Sequence, residues 1–254
     1  MTEFMSLIEK TLDEVLPPVE TRPVVLSEAM RYAVGSGGKR IRPLLCLASA
    51  VAVGGKAEDA RYPAAAIELL HNYTLVHDDL PAMDNDSERR GQPTVWKKFG
   101  EANAVLAGDA LLALAYRVAA KAPRNVPAII DVLGEKGVGV VQGQVEDLKR
   151  DEGTDDFIYL HKTADLFIAA AQMGALAGGG EAAAVGCVGR FARNLGLAFQ
   201  YEDDLLDGDG LYPSAETAAR VRETTAAAVA ALDGLAGETS FLRDLARKLV
   251  GRKS

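Results

Sequence analysis

Two acidic clusters carry the chemistry of this chain: Asp78-Asp79-Leu80-Pro81-Ala82-Met83-Asp84 and Asp203-Asp204-Leu205-Leu206-Asp207. Each follows an apolar, helix-periodic run, residues 64–76 for the first and 192–199 for the second. Carboxylates at such positions repel one another and lose solvation unless a cation lies between them. Hard divalent cations take oxygen ligands, and Mg²⁺ is commonly shared between one or two carboxylates and substrate phosphates. Two clusters facing each other across a cavity would therefore make a diphosphate–metal site.

Asp203 and Asp207 stand four residues apart and share one helix face, with Asp204 directed elsewhere. Acidic pairs at this spacing are common on solvated faces, but Leu195, Leu197, Ala198, Phe199, Leu205 and Leu206 surround this one. Asp78 and Asp84 are six apart and would diverge on an unbroken helix, at about 100° per residue. Pro81 between them breaks the hydrogen-bond ladder, and such a break could turn Asp84 back towards Asp78. A solvated helix end is the competing reading, and Asn85-Asp86-Ser87-Glu88 suits it.

Basic residues gather in Gly35-Ser36-Gly37-Gly38-Lys39-Arg40-Ile41-Arg42-Pro43, a Gly-rich turn feeding a helix start, and again at Arg89-Arg90. Backbone N–H groups and cationic side chains converging there suit a phosphate, although the pattern is neither a Walker loop nor a dinucleotide fingerprint. His71 precedes Asp78 by seven residues, two helical turns on a similar face; a lone helical histidine is more often a core residue than a ligand. Lys162-Thr163 interrupts an apolar helix, where a lysine demands an anionic partner. Asp109, in another apolar run, reads equally as a structural residue or as a partner for a basic group.

Positioning these groups falls to helices. Ala, Leu, Glu, Lys and Arg are abundant and aromatics make up 6%, which favours helix over strand. Helical periodicity predicts elements over 3–15, 27–34, 43–53, 60–76, 102–120, 126–149, 155–177, 181–206, 215–232 and 240–250. Pro43 and Pro63 suit first-turn positions. The segment 81–94 reads as a loop, and strand alternation is absent. No repeat or domain boundary interrupts residues 1–254, so the expectation is an all-α, single-domain helical bundle around a deep central cavity.

A net charge of −8 argues against a nucleic-acid binder, whereas local basic clusters on an acidic chain suit a small anionic ligand. Cys46 and Cys187 lie in apolar runs and read as buried thiols of a reducing compartment. The N-terminus has no basic-then-apolar leader, and Asp109 and Gln172 interrupt the two longest apolar runs before about 18 residues. A cytoplasmic location without a membrane span is expected.

Together these residues resemble the trans-isoprenyl diphosphate synthase (polyprenyl synthetase) family. The carrying motifs are Gly-Gly-Lys-Arg-Ile-Arg-Pro (37–43), His-Asp-Asp-Leu-Pro-Ala-Met-Asp (77–84), Arg-Arg-Gly-Gln-Pro-Thr (89–94), Gly-Gln-Val-Glu-Asp (143–147), His-Lys-Thr (161–163) and Gly-Leu-Ala-Phe-Gln-Tyr-Glu-Asp-Asp-Leu-Leu-Asp (196–207). The resemblance implies the isoprenoid synthase type of all-α fold, a homodimer, and three Mg²⁺ ions holding an allylic diphosphate. Asp78 and Asp84 would bind two of the ions, and Asp203, supported by Asp207, the third. Arg89, Lys162, Thr163 and Gln200 would hold the allylic diphosphate. Lys39, Arg42, His71 and Arg90 would hold isopentenyl diphosphate.

Tyr73, five residues before Asp78, together with the Pro-Ala insertion in the motif, is similar to the bacterial farnesyl diphosphate synthase type. Tyr73 would then floor the cavity and stop the product at C15, with a C20 geranylgeranyl synthase as the alternative. Two departures stand out. The family's long segment after the second motif, with its lysine, is replaced by Gly208-Asp209-Gly210-Leu211-Tyr212-Pro213, which is expected to slow turnover or admit water, and Glu202 stands where the family usually has Gln. A low-activity or non-catalytic diphosphate-binding subunit is therefore a competing reading. A class I terpene cyclase is another, opposed by the second acidic motif and the complete basic set.

Overall fold

The computed structural model describes residues 1–149, 155–207 and 212–250, and the side chains at 155, 207, 249 and 250 lie outside it. In chain order the helices are α1 (Thr2–Val15), α2 (Val24–Gly35), α3 (Ile41–Ala52), α4 (Arg61–Asp78), α5 (Val95–Phe99), α6 (Glu101–Ala119), α7 (Val126–Lys149), α8 (Asp155–Ile158), α9 (Asp165–Ala177), α10 (Ala182–Asp207), α11 (Ser214–Ala231) and α12 (Ser240–Val250). A π-turn, Tyr159–Ala164, joins α8 to α9. Pro43 and Pro63 occupy the first turns of α3 and α4, where a missing N–H leaves no helical bond unmade.

The bundle is built around α3, α4 and α9. α3 and α9 are buried on nearly every side, as helices apolar all round must be. α4 packs on α6, α3 and α9, while α10 lies between α9 and α11, and α7 covers α9 and the π-turn. Leu45, Leu47, Ile67, Leu69, Leu70, Phe167 and Phe191 are fully buried at this junction. Truncating any one of them to alanine is expected to cost about 2–5 kcal/mol.

Several expectations need correcting. The segment read as a featureless loop holds a small antiparallel hairpin, β1 (Glu88–Arg89) with β2 (Gln92–Pro93), followed by the short α5. Its two-residue turn puts Arg90 at φ 55° and Gly91 at φ 74°, the double positive φ that tight hairpins require. The helix expected over 155–177 runs through a π-turn instead of remaining regular. Helix α6 is long and apolar enough to cross a membrane by length and composition, because Asp109 and Arg117 do not offset its Ala- and Leu-rich surroundings. Both cysteines are free, but Cys187 is only half-buried, whereas burial pushes the Cys46 thiol well up.

Candidate active site

Helix α4 delivers the first acidic cluster. It ends at Asp78, and the chain then reverses: the Asp84 N–H donates to the Asp78 carbonyl at 2.9 Å, and the Asn85 and Met83 N–H groups donate to Leu80. The turn through Pro81 thus returns Asp84 to the end of the helix that carries Asp78. Burial pushes the Asp78 carboxyl up to about 6; Lys162 opposes that rise, while Asp84 and Asp79 add to it. Asp79, set aside in the sequence reading, is buried and accepts from Arg89 Nε at 2.7 Å and Nη2 at 2.6 Å. Arg89 is therefore tied to the first cluster, with Asp86 3.6 Å from it as well.

A cavity of about 650 Å³ opens beside this cluster, lined by Lys39, Arg40, Arg42, Glu68, His71, Arg90 and, from α10, Phe199, among others. Its one lining carboxylate, Glu68, already pairs with buried Arg40 at 2.7 Å. Arg40 also bonds Glu9 and the Val34 carbonyl and so has a structural task. Burial pulls the Arg42 guanidinium down to about 10, with Arg90 adding to the effect and Glu68 opposing it. Arg42 Nε is buried without a protein partner among the described residues. Arg42 Nη1 lies 3.2 Å from His71 Nε2. A guanidinium can only donate, so this contact assigns the ring proton to Nδ1, and Nδ1 too is buried without a partner. Burial and the surrounding arginines hold the His71 pKa well below its ordinary value, so the ring is neutral. Arg90 donates to the Gly37 carbonyl, placing the hairpin tip over the Gly-rich turn. The pocket is cationic and offers buried donors on Arg42 and His71 without protein partners among the described residues, which suits an anion.

The other half of the site is the π-turn. Lys162 pairs with Asp147 of α7, and Thr163 Oγ1 donates to Gln200 Oε1 of α10 at 2.9 Å. Gly143 makes this approach possible, since a Cβ there would collide with the Lys162 backbone. His161 Nδ1 lies 2.7 Å from Asp165, which is also 3.4 Å from Lys136. Asp204, expected off the face that Asp203 and Asp207 share, is buried and held by Tyr159 and Gln200. Asp203 is half-buried on α10, and the Asp207 side chain lies outside the described residues.

The two acidic clusters are thus linked: Lys162 acts on Asp78, its neighbour Thr163 bonds Gln200, and Gln200 sits three residues before Asp203. Among the described residues no three carboxylate, imidazole or thiol groups form a ready-made metal cage. Half-buried Asp78 and Asp203 with exposed Asp84 form no full ligand set, which suits Mg²⁺ that completes its shell with substrate phosphate and water. Lys39 lies exposed at the cavity rim. Asp109 is 60% exposed and 3.9 Å from His77, so it does not partner a buried base. Tyr73 is half-buried outside the cationic cavity, its ring edge-on to His77 at 4.9 Å. His77 in turn lies 3.0 Å from the Val105 carbonyl of α6, which puts Tyr73 on a wall between α4 and α6.

The polyprenyl synthetase family model matches residues 23–217. A chloroplastic geranylgeranyl pyrophosphate synthase of Capsicum annuum is 45% identical over 220 residues, covering 82% of this chain and 59% of that protein. A heterodimeric geranylgeranyl pyrophosphate synthase large subunit 1 of Arabidopsis thaliana is 45% identical, covering 79% and 58%. This chain therefore spans less than two thirds of the length of either relative. Among solved structures, an FPP/GFPP synthase from Zymomonas mobilis superposes with a TM-score of 0.90 at 35% identity, covering 98% of both chains.

Proposed function

The chain belongs to the polyprenyl synthetase family, and from its site we propose a trans-prenyltransferase that condenses isopentenyl diphosphate head-to-tail with an allylic diphosphate. One observation carries the reading: a cationic cavity with unsatisfied Arg42 and His71 donors stands beside an acidic cluster linked through Lys162 and Thr163 to a second one. Two adjoining sites, one predominantly cationic with its Glu68 carboxylate taken up by Arg40 and one of mixed charge, suit two diphosphates in different roles.

In this reading Lys39, Arg42 and Arg90 hold isopentenyl diphosphate by charge and neutral His71 by a hydrogen bond, which keeps its double bond oriented without reorganisation at the moment of reaction. Lys162, Thr163, Arg89 and Gln200 grip the allylic diphosphate. Mg²⁺ ions held by Asp78, Asp84 and Asp203, with Asp207 in support, supply charge neutralisation to the departing diphosphate when bound. The allylic C–O bond breaks and its electron pair leaves with the diphosphate. The isopentenyl double bond attacks the resulting carbocation, a C–C bond forms, and a proton is lost to the released diphosphate. Phe199 and Leu75 line the cavity with apolar surface and exclude the water that would quench the cation.

The C15 expectation resting on Tyr73 gives way to C20. The Capsicum annuum and Arabidopsis thaliana relatives are named geranylgeranyl synthases, the Zymomonas mobilis structure is an FPP/GFPP synthase, and Tyr73 stands on the α4–α6 wall outside the head-group pocket. We assign Tyr73 the end of the chain path and the product geranylgeranyl diphosphate. A second copy of this chain is proposed to cover the exposed apolar rows of α6 (Val105, Leu106) and α7 (Val138, Val141, Val145, Leu148). Incubation with Mg²⁺, isopentenyl diphosphate and an allylic primer, read by mass spectrometry, tests the reading. A binder without turnover, the reading suggested by the shortened segment after Asp207, would release no longer prenyl diphosphate.

A further inference from the structure

The π-turn and α10 are joined by a closed run of hydrogen bonds whose members do not include any group assigned above to the metal ions. Tyr159 OH donates to Asp204 Oδ2 at 2.5 Å; Gln200 Nε2 donates to Asp204 Oδ1 at 3.0 Å; Thr163 Oγ1 donates to Gln200 Oε1 at 2.9 Å. Gln200 and Asp204 lie one helical turn apart and present one face of α10 to the turn. Two rungs therefore cross from Tyr159 and Thr163 to that face, closed by the bond between Gln200 and Asp204. Both carboxylate oxygens of Asp204 are engaged, and the Gln200 amide can point only one way, carbonyl to Thr163 and NH₂ to Asp204.

Position makes this run matter. Lys162 sits between the two rungs on the same turn, and Asp203 sits between Gln200 and Asp204 on the same stretch of α10. A π-turn is rare, occurs mostly as a single turn inserted into α-helix, and is frequent at functional sites. Tyr159 supplies a short bond to a buried carboxylate, the strong kind of neutral-to-ion hydrogen bond. Its ring is held edge-on by Tyr201 at 5.5 Å, and Tyr201 is followed in the stack by Tyr212, over which the Arg220 guanidinium lies at 3.8 Å. The hydroxyl is thus aimed by packing as well as by its partner.

We propose that Tyr159 is a positioning residue: through Asp204 it fixes the turn carrying Lys162 and Thr163 against the turn carrying Asp203, so that both grip one diphosphate together. The inference rests on the prenyltransferase reading for its substrate but concerns the geometry of this chain's own residues. Groups one layer behind metal and phosphate contacts typically change affinity or activity about 10–100-fold when removed.

The test is a calorimetric titration of inorganic diphosphate at a series of Mg²⁺ concentrations, with wild type, Tyr159→Phe and Tyr201→Phe. Tyr159→Phe keeps the ring and removes one oxygen. Its half-saturating Mg²⁺ is expected to rise about tenfold or more; in turnover, kcat falls while KM for isopentenyl diphosphate stays unchanged. Tyr201→Phe, which takes a hydroxyl from the same aromatic stack but not from Asp204, should titrate as wild type. A role in packing alone would lower the melting temperature without moving the Mg²⁺ midpoint of the folded protein. Should Tyr159→Phe not fold, Asp204→Asn, which keeps the shape but replaces one of the two accepting oxygens with a donor, must shift the midpoint in the same direction. A midpoint equal to wild type in whichever of these two variants folds overturns the proposal. The titration needs no turnover, so it decides the role of Tyr159 even where wild type yields no prenyl product, an outcome that would overturn the synthase reading alone.

Discussion

The Asp84 N–H donates to the Asp78 carbonyl at 2.9 Å, and this single bond closes the reversal that places two carboxylates at one end of α4. The Met83 and Asn85 N–H groups, both donating to the Leu80 carbonyl, support the same turn. Because the pair is proposed to face the departing diphosphate, Asp78→Asn or Asp84→Asn should lower kcat by about 10²–10³. KM for isopentenyl diphosphate, which is held elsewhere, should stay close to wild type. Steady-state kinetics with each substrate varied separately checks this, and a change confined to KM would contradict it.

The pH dependence of stability follows from the same carboxyl. Burial first, and then Asp84 and Asp79 against the pull of Lys162, raise Asp78 to about 6, whereas an unfolded aspartate titrates near 3.9. Between those values the native state binds more protons than the unfolded chain. The contribution is therefore fully present below the unfolded pKa and is lost as pH rises through about 6. Proposed Mg²⁺–diphosphate binding needs the ionised form and strengthens over the same window. Thermal melts across this range, with and without Mg²⁺ and diphosphate, should show the two trends with opposite sign. Asp78→Asn should remove the first; an unaltered pH slope in that variant would contradict the assignment.

The cationic cavity makes a separable prediction. His71→Ala removes a buried, neutral N–H donor that has no protein partner. A hydrogen bond to a charged ligand is worth about 1.5–3 kcal/mol, so KM for isopentenyl diphosphate should rise roughly tenfold or more with the allylic KM unchanged. Equal rises in both would place His71 in the core and not in the pocket.

Arg40 and Glu68 carry structure instead of substrate. Their side chains are each 4% exposed and meet at 2.7 Å. Glu68→Ala leaves a buried guanidinium with one carboxylate fewer and should cost about 3–5 kcal/mol of stability, read by denaturant unfolding. A loss below 1 kcal/mol, on the scale of a surface pair, would contradict the burial of this pair.

Tyr73→Ala tests the wall between α4 and α6. Removing a ring that stacks on His77 at 4.9 Å opens space beside the proposed chain path. Products should lengthen by at least one C5 unit. An unchanged product distribution would take Tyr73 out of length control.

How much of this was legible in the sequence depends on how local the cause is. Asp78, Asp84, Lys162, Thr163 and the 37–43 turn announce themselves because polar residues in apolar helical runs must have partners, and Pro81 forecasts the reversal that the Asp84–Asp78 bond completes. Asp79, Asp147, Tyr159 and Asp204 were passed over because their roles are set by residues far along the chain: Tyr159 and its carboxylate are 45 positions apart. Helix periodicity did set Asp204 apart from the Asp203–Asp207 face, but face counting on α10 knows nothing of the π-turn packed beside it and so names no partner. The hairpin at Arg89–Gln92 did have a local signal, Arg90-Gly91 between Glu88-Arg89 and Gln92-Pro93, but strands two residues long leave no alternation to read.

The most direct test is the product assay: the purified chain with Mg²⁺, isopentenyl diphosphate and dimethylallyl, geranyl or farnesyl diphosphate, read by mass spectrometry. The account predicts geranylgeranyl diphosphate from each primer, dependent on Mg²⁺ and abolished by Asp78→Asn. Diphosphate bound in the Arg42–His71 cavity with no prenyl chain extended from any primer would contradict it.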